Sequence, residues 1–371
     1  MLAATADGRS GPLDEYLGMP GEQADRVLRA LLANPHPAVA AALAWWTVPE
    51  ARSGAIQNRL GRLPGAVTVG DIPSQAEADE WAAEHTFGLI ERFPTNLDPQ
   101  TWLVMASALA TRVSWTNPFL LAPSAELGDD SPWRASLSLV LRSREEHGVG
   151  LVSSPVGMLA VHVASAEEGV DVCSVIGPPD VPAAELIAAW LSGATERCDL
   201  FEVELGDGHA WSLTELGGDT ATSGWTTAVL PAWSTSSEFN LMNPSLGFVA
   251  AMTLLNADLP ERAPLAGAHQ AARAEYSRTG FQGAAVTDEI AITATYRLGP
   301  RRDLTVRFNR PFAVFATAVH HQGQRGKPQS PWHELPVFSG WITEPSDITP
   351  SPADQAASRS AGARRRLGIE P

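Results

Sequence analysis

Apolar residues recur at helical spacing through residues 23–33 (Val27, Leu28, Leu31, Leu32), which predicts a helix with one buried face. Residues 39–48 are continuously apolar and end in Trp45-Trp46-Thr47-Val48, the pattern of a buried strand or of a helix running into one. Over residues 76–91, Ala78, Trp81, Ala82, His85 and Leu89 share one stripe, so a helix here can lie on a sheet. Residues 103–113 are apolar except for Ser107, Thr111 and Arg112, as a central strand covered on both faces requires. Four strands follow at 136–141, 148–153, 158–164 and 170–175, then a helix at 181–192. The mixture is α+β. Residues 268–312 change character twice: small residues at 283–287, β-branched residues at 290–296, and alternation over 304–312. Pattern alone predicts a β-hairpin there, with strand 289–298, a turn at 299–303 and strand 304–310.

Composition narrows the class. The 371 residues suffice for one large domain or two ordinary ones, and 44% hydrophobic with 18% charged residues describes a folded chain. A net charge of −16 argues against sequence-independent nucleic-acid binding. The longest apolar run, residues 37–46, is too short to cross a bilayer. Residues 1–20 carry Asp7, Asp14 and Glu15 without the basic-then-apolar order of a signal peptide. Cys173 and Cys198 have no metal spacing; they could pair, or stand as free buried thiols. There is no Gly-x-Ser-x-Gly elbow, no His-Glu-x-x-His and no Gly-Lys-Ser/Thr phosphate loop. His320, His321 and His333 are better explained by an exposed loop than by a metal site, and Arg364-Arg365-Arg366 by a solvated tail. No enzyme activity, metal or cofactor is expected.

A longer match carries a family resemblance. Trp81, Thr86, Gly88 and Ile90, then Leu97-Asp98-Pro99, a long strand, and Trp115-Thr116-Asn117-Pro118-Phe119 keep the order and spacing of the serpins. Leu63-Pro64-Gly65-Ala66-Val67 is similar to the short helix and strand that precede this region in that family. Leu230-Pro231-Ala232-Trp233, Glu238-Phe239-Asn240-Leu241, Leu246-Gly247, Asn256-Ala257-Asp258-Leu259 and Ala268-His269-Gln270-Ala271 continue the likeness. So do Phe308-Asn309-Arg310-Pro311-Phe312, residues 312–317 and residues 336–342. Gly280, Phe281, Gln282, Gly283, Ala284, Ala285, Val286 and Thr287 resemble the small-residue hinge at which a serpin's reactive loop begins.

The resemblance implies an α+β serpin fold of three β-sheets and about seven to nine helices, with an exposed reactive loop. It implies one domain over residues 1–345, with a disordered tail over 346–371. The chain looks like a bacterial member that begins within the family's second helix, without the long first helix and the first buried strand. Apolar surface and poor solubility are then expected of a chain starting at Met1. The implied function is a suicide substrate: a serine protease, or a cysteine protease, cuts the loop, which then adds a strand to the central sheet. The alternative is a non-inhibitory scaffold used for binding or storage. The family count from Gly280 places the scissile bond at Ala294–Thr295, an elastase-like site, with Arg297 and a trypsin-like target as runner-up.

Three residues map to the family's sheet-opening region: Ser107, where the family carries Asn, Trp115, and His269. Counted by twos, the residues facing inward on insertion are Phe281, Gly283, Ala285, Thr287, Glu289, Ala291 and Thr293. Phe281 is expected to overpack the core, at a cost of roughly 1–3 kcal/mol. Arg278 and Thr279 replace acidic positions ahead of the glycine. The implied partner is a protease, not nucleic acid or a membrane, with a monomeric inhibitor; the family favours the extracellular space.

Overall fold

The computed structural model describes residues 2–6, 11–216, 224–259, 268–283, 301–319 and 330–349. Helices α1 (Leu2–Ala6), α2 (Asp14–Leu17) and α3 (Gly21–Ala33) lead into β1 (Val39–Thr47). Helix α4 (Gly54–Leu60), β2 (Val67–Gly70) and α5 (Gln75–His85) follow, then β3 (Leu103–Ser114) and β4 (Leu120–Pro123). Next come β5 (Leu139–Arg142), β6 (Gly148–Ser154), β7 (Gly157–Ser165), β8 (Val170–Ile176) and α6 (Ala183–Leu191). After these lie β9 (Glu196–Arg197), β10 (Gly206–Asp207), β11 (Trp211–Leu216), β12 (Thr226–Leu230), β13 (Trp233–Asn240) and α7 (Phe248–Asp258). The chain closes with β14 (His269–Tyr276), β15 (Gly280–Gly283), β16 (Arg301–Arg307), β17 (Phe312–Ala318) and β18 (Leu335–Ile342).

The strands form three six-stranded sheets: β13-β14-β15-β3-β1-β2, which is the central sheet, β10-β11-β16-β12-β5-β4, and β18-β17-β8-β7-β6-β9. The apolar run of β1 is explained by helices on both faces of the central sheet. Successive side chains of a strand point to opposite faces. Trp46 therefore meets α5, edge-on to Trp81 at 5.3 Å, while Trp45 packs with Ile56 of α4 and Leu255 of α7. Strand β17 is buried along its whole length between β8 and β18, as an apolar run in mid-sheet should be. The largest core lies between the sheets and joins Trp115, Tyr276 and Phe281 to Phe308 and Phe312.

Four expectations are corrected. The helix over 76–91 ends at His85, because Gly88 takes a left-handed φ of 77° and returns its N–H to Ala83, so Leu89 is not on the helical stripe. Strand β3 is covered unevenly, with Ser107, Arg112 and Ser114 exposed. The turn drawn at 299–303 falls partly inside β16, where Arg301, Arg302 and Asp303 pair with Leu216, Glu215 and Thr214 of β11. Strand 289–298 lies outside the described residues. At the other end, the boundary drawn at 346 falls within a bonded segment. Ser346 bridges Ala232, and the Asp347 carboxylate accepts from the N–H groups of Ser138 and Leu139. Residues 350–371 lie outside the described residues.

Candidate functional site

The chain leaves β14 at Tyr276, turns through Ser277, Arg278 and Thr279, and returns as β15. Ser277 closes the turn: its N–H and its hydroxyl donate to the Gly280 carbonyl at 3.0 and 3.1 Å. The turn is fastened to the segment after β3. The N–H groups of Trp115 and Phe119 donate to the carbonyls of Thr279 and Arg278, each at 3.0 Å. Trp115 Nε1 donates to Ser277 O at 2.9 Å, and Arg278 Nε to Phe119 O at 3.1 Å. Strand β15 runs antiparallel to both neighbours, pairing Gln282 with Glu275 of β14 and Gly280 through Gly283 with Ser114 back to Thr111 of β3. Among the described residues β3 and β14 do not pair with each other; β15 separates them.

Side chains of β15 alternate as the sequence predicts. Phe281 and Gly283 are buried, while Gly280 and Gln282 are half-buried. The expected overpacking at Phe281 is corrected. Its ring sits in an aromatic chamber with centroids 5.6 Å from Phe338, 6.2 Å from Trp233 and 6.4 Å from Tyr276. Room for it comes from small neighbours: a β-carbon on Gly283 would overlap the Phe281 ring and lie 3.2 Å from Ala274 Cβ. Gly280 serves a different need, since a β-carbon there would overlap the Val113 carbonyl of β3. Among the described residues, the buried Tyr276 Oη and Trp233 Nε1 have no hydrogen-bond partner. Burial pushes the Tyr276 phenol well above its ordinary range, so it stays neutral.

Two histidines back this cluster. His147 Nδ1 and His162 Nε2 are 2.9 Å apart, and His147 Nε2 lies 2.6 Å from the Asn117 carbonyl. Phe119 lies edge-on to His147 at 4.6 Å and tilted to His162 at 5.4 Å. Burial lowers the pKa of both; for His147 the Asn117 carbonyl and Glu146 oppose that shift.

Of the sequence-predicted residues, Gly280, Phe281, Gln282, Gly283 and Trp115 come together here. Ser107 and His269 do not: both are exposed, on β3 and β14 respectively, and no hydrogen bond joins them. Ala284, Ala285, Val286, Thr287, Ala294, Thr295 and Arg297 lie outside the described residues. Tyr276, Trp233, Phe338, His147 and His162 were missed, since each is one apolar or isolated polar position in an ordinary strand pattern. Among the described residues no group of three or more His, Cys, Asp or Glu could hold a metal. His320 and His321 lie outside those residues, and His333 pairs with Glu334 at 3.5 Å. Cys173 and Cys198 are both free. No helix among the described residues is long and apolar enough to cross a membrane.

No family model and no curated protein matches the sequence. Solved structures do. The chain is similar to Tengpin, a thermophilic serpin, in its native state, with a TM-score of 0.59 at 14% identity over 92% of this chain and 85% of that one. It is similar to Serpin48 of the insect Tenebrio molitor, with a TM-score of 0.55 at 14% identity over 93% and 89%. Human thyroxine-binding globulin, solved with its hormone, gives 0.54 at 12% identity over 93% and 89%. The fold is the serpin fold. The three sheets and seven α-helices among the described residues match that expectation. Within that fold, β15 lies in the central sheet between β3 and β14.

Proposed function

We propose that this chain is a member of the serpin family and a protease inhibitor that acts as a suicide substrate through residues 284–300. The observation that carries the reading is the two-ended tether of that segment. It starts at Gly283, paired with Thr111 of β3 and next to Gln282, which pairs with both β3 and β14 within the central sheet, and ends at Arg301, paired in a different sheet. A protease serine attacks the Ala294 carbonyl, the Thr295 amine leaves, and the acyl-enzyme stays on the upstream end. That end is then free to extend β15 between β3 and β14, carrying the protease with it. The uncut chain is a kinetic trap, and strand addition supplies the drive. The chain itself performs no catalysis in this scheme.

Incubation with elastase-like, chymotrypsin-like and trypsin-like proteases tests the reading. The expected result is a covalent complex with an elastase-like enzyme that survives denaturant, and a C-terminal fragment whose mass begins at Thr295. A fragment beginning after Arg297, with a trypsin-like enzyme, supports the second site. Cuts confined to positions outside 292–302 dispose of both assignments.

A second reading, a serpin scaffold used for binding or storage, is favoured by the hinge itself. Phe281 is buried before any cut, and Arg278 and Thr279 stand where the inhibitory pattern has acidic residues. Clean cleavage by every class of protease, with no covalent complex, is the outcome expected of it.

A further inference from the structure

The buried imidazole pair has a fixed direction of hydrogen bonding. A carbonyl only accepts, so His147 Nε2 must carry its proton to Asn117 O, at 2.6 Å. A neutral His147 then presents a bare Nδ1, and His162 Nε2–H donates to it at 2.9 Å. His162 Nδ1 is thereby left as an acceptor. It is fully buried and has no partner among the described residues, and neither has the hydroxyl of Ser174, the opposite residue of β8. A second proton is costly on either ring. On His147 it would face His162 Nε2–H unless His162 moved its own proton to Nδ1, where it would be buried without an acceptor among the described residues; on His162 it would be a buried cation without a counter-charge.

The pair is built into the hinge. Phe119 packs on both rings, and its backbone exchanges two hydrogen bonds with Arg278 of the β14–β15 turn. Arg144 Nε donates to Pro118 O at 2.8 Å, so the segment bearing His147 also holds the Trp115–Phe119 segment from outside.

We propose that the His147–His162 pair is an acid-sensitive latch on the hinge: with both rings neutral it holds the turn against Phe119, and protonation of His147 releases the turn and β15. The groups facing the pair leave it neutral near pH 7. On its own segment His147 has Arg144 and Glu146, which act in opposite senses. The Trp115–Phe119 segment offers the Asn117 carbonyl and Phe119. Across the cluster are the phenol of Tyr276, which stays neutral, Ser174 of β8 and Phe308 beyond β16. The charged group of the turn, Arg278, is spent on Phe119 O. The sign follows from burial. The unfolded rings take up protons near the ordinary value of 6.5 and the folded ones do not. Stability from the pair is therefore whole above that pH and is lost as pH falls below it. His147 is the ring that escapes, lying nearer the surface than His162.

Amide hydrogen exchange between pH 5 and 8, corrected for intrinsic rate, tests the latch. Peptides covering residues 113–120 and 276–283 are compared with one covering β17. Below about pH 6.5 the two hinge peptides are expected to lose up to about tenfold in protection per pH unit while β17 holds. His147→Gln, which can still donate to Asn117 O and accept from His162, is expected to abolish that loss. His209→Gln, at a half-buried histidine elsewhere, is expected to leave it intact. Protection independent of pH, or lost together with β17, overturns the proposal, and so does a His147→Gln protein that opens as the wild type does. If His147→Gln does not fold, the wild-type comparison of hinge with β17 still decides.

Discussion

Gly280 and Gly283 occupy one four-residue strand for unrelated reasons. The first lets β15 come against the β3 backbone, and the second makes room for a side chain of its own strand. The backbone obstacle cannot move cheaply, while the ring can be exchanged for something smaller. Gly283→Ala is therefore expected to destabilise the protein by roughly 1–3 kcal/mol through overpacking. Phe281→Leu is expected to absorb most of that cost, giving a clearly non-additive double-mutant cycle in denaturant unfolding. Additive effects would mean that the two residues do not share this space. The inward parity of Phe281 was legible, because a strand's side chains alternate strictly. The fit was not, because Trp233, Tyr276 and Phe338 come from three different strands, and nothing periodic in the sequence connects them.

At the scale of elements, the clearest addition to what the sequence suggests is the pairing of β16. Its alternation predicts a strand, but it reads as half of a local hairpin. In the fold it is an interior strand, parallel to β12 and antiparallel to β11. Strands β6, β7 and β8 were legible from the residue pattern and β17 and β18 only through the family resemblance, while β10 and β11 carry too few alternating positions to register and are fixed by partners far along the chain. Arg302 is the rivet. It pairs with Glu215 at 2.9 Å and donates to the carbonyls of Leu200 and Val203 at 2.6 and 3.1 Å. Arg302→Ala leaves those acceptors unmatched, at a cost of about 1–3 kcal/mol. It also loosens the downstream anchor of residues 284–300. The expected outcome is faster amide exchange in β16 and β11 with β12 little changed. If the proposed inhibition is correct, inhibitory capacity should also decay faster on warming without any cut. Unchanged exchange in β16 would show that backbone pairing alone holds it.

For the whole molecule, the question is how much free energy remains for insertion. A serpin that gains a full strand on cleavage is expected to unfold at a much higher temperature afterwards. Here Gly280 through Gly283 are already paired with β3, Phe281 and Gln282 with β14 as well, and Phe281 is already fully buried, so that share of the gain exists before any cut. The next inward residues, counted by twos, are Ala285, Thr287, Glu289, Ala291 and Thr293. An unpaired buried carboxylate at Glu289 costs several kcal/mol or must stay protonated. A one-residue slip gives no relief, because it turns Asp288 inward. Calorimetry before and after limited proteolysis within 292–302 is therefore expected to show a small rise in unfolding midpoint or none. Glu289→Ala should enlarge the rise and shift the balance from substrate towards inhibitor. A large rise in the wild type, left unchanged by Glu289→Ala, would mean that the acidic pair is harmless and that the seated hinge takes little from the drive for insertion. The protein would then be an efficient trap rather than a reluctant one.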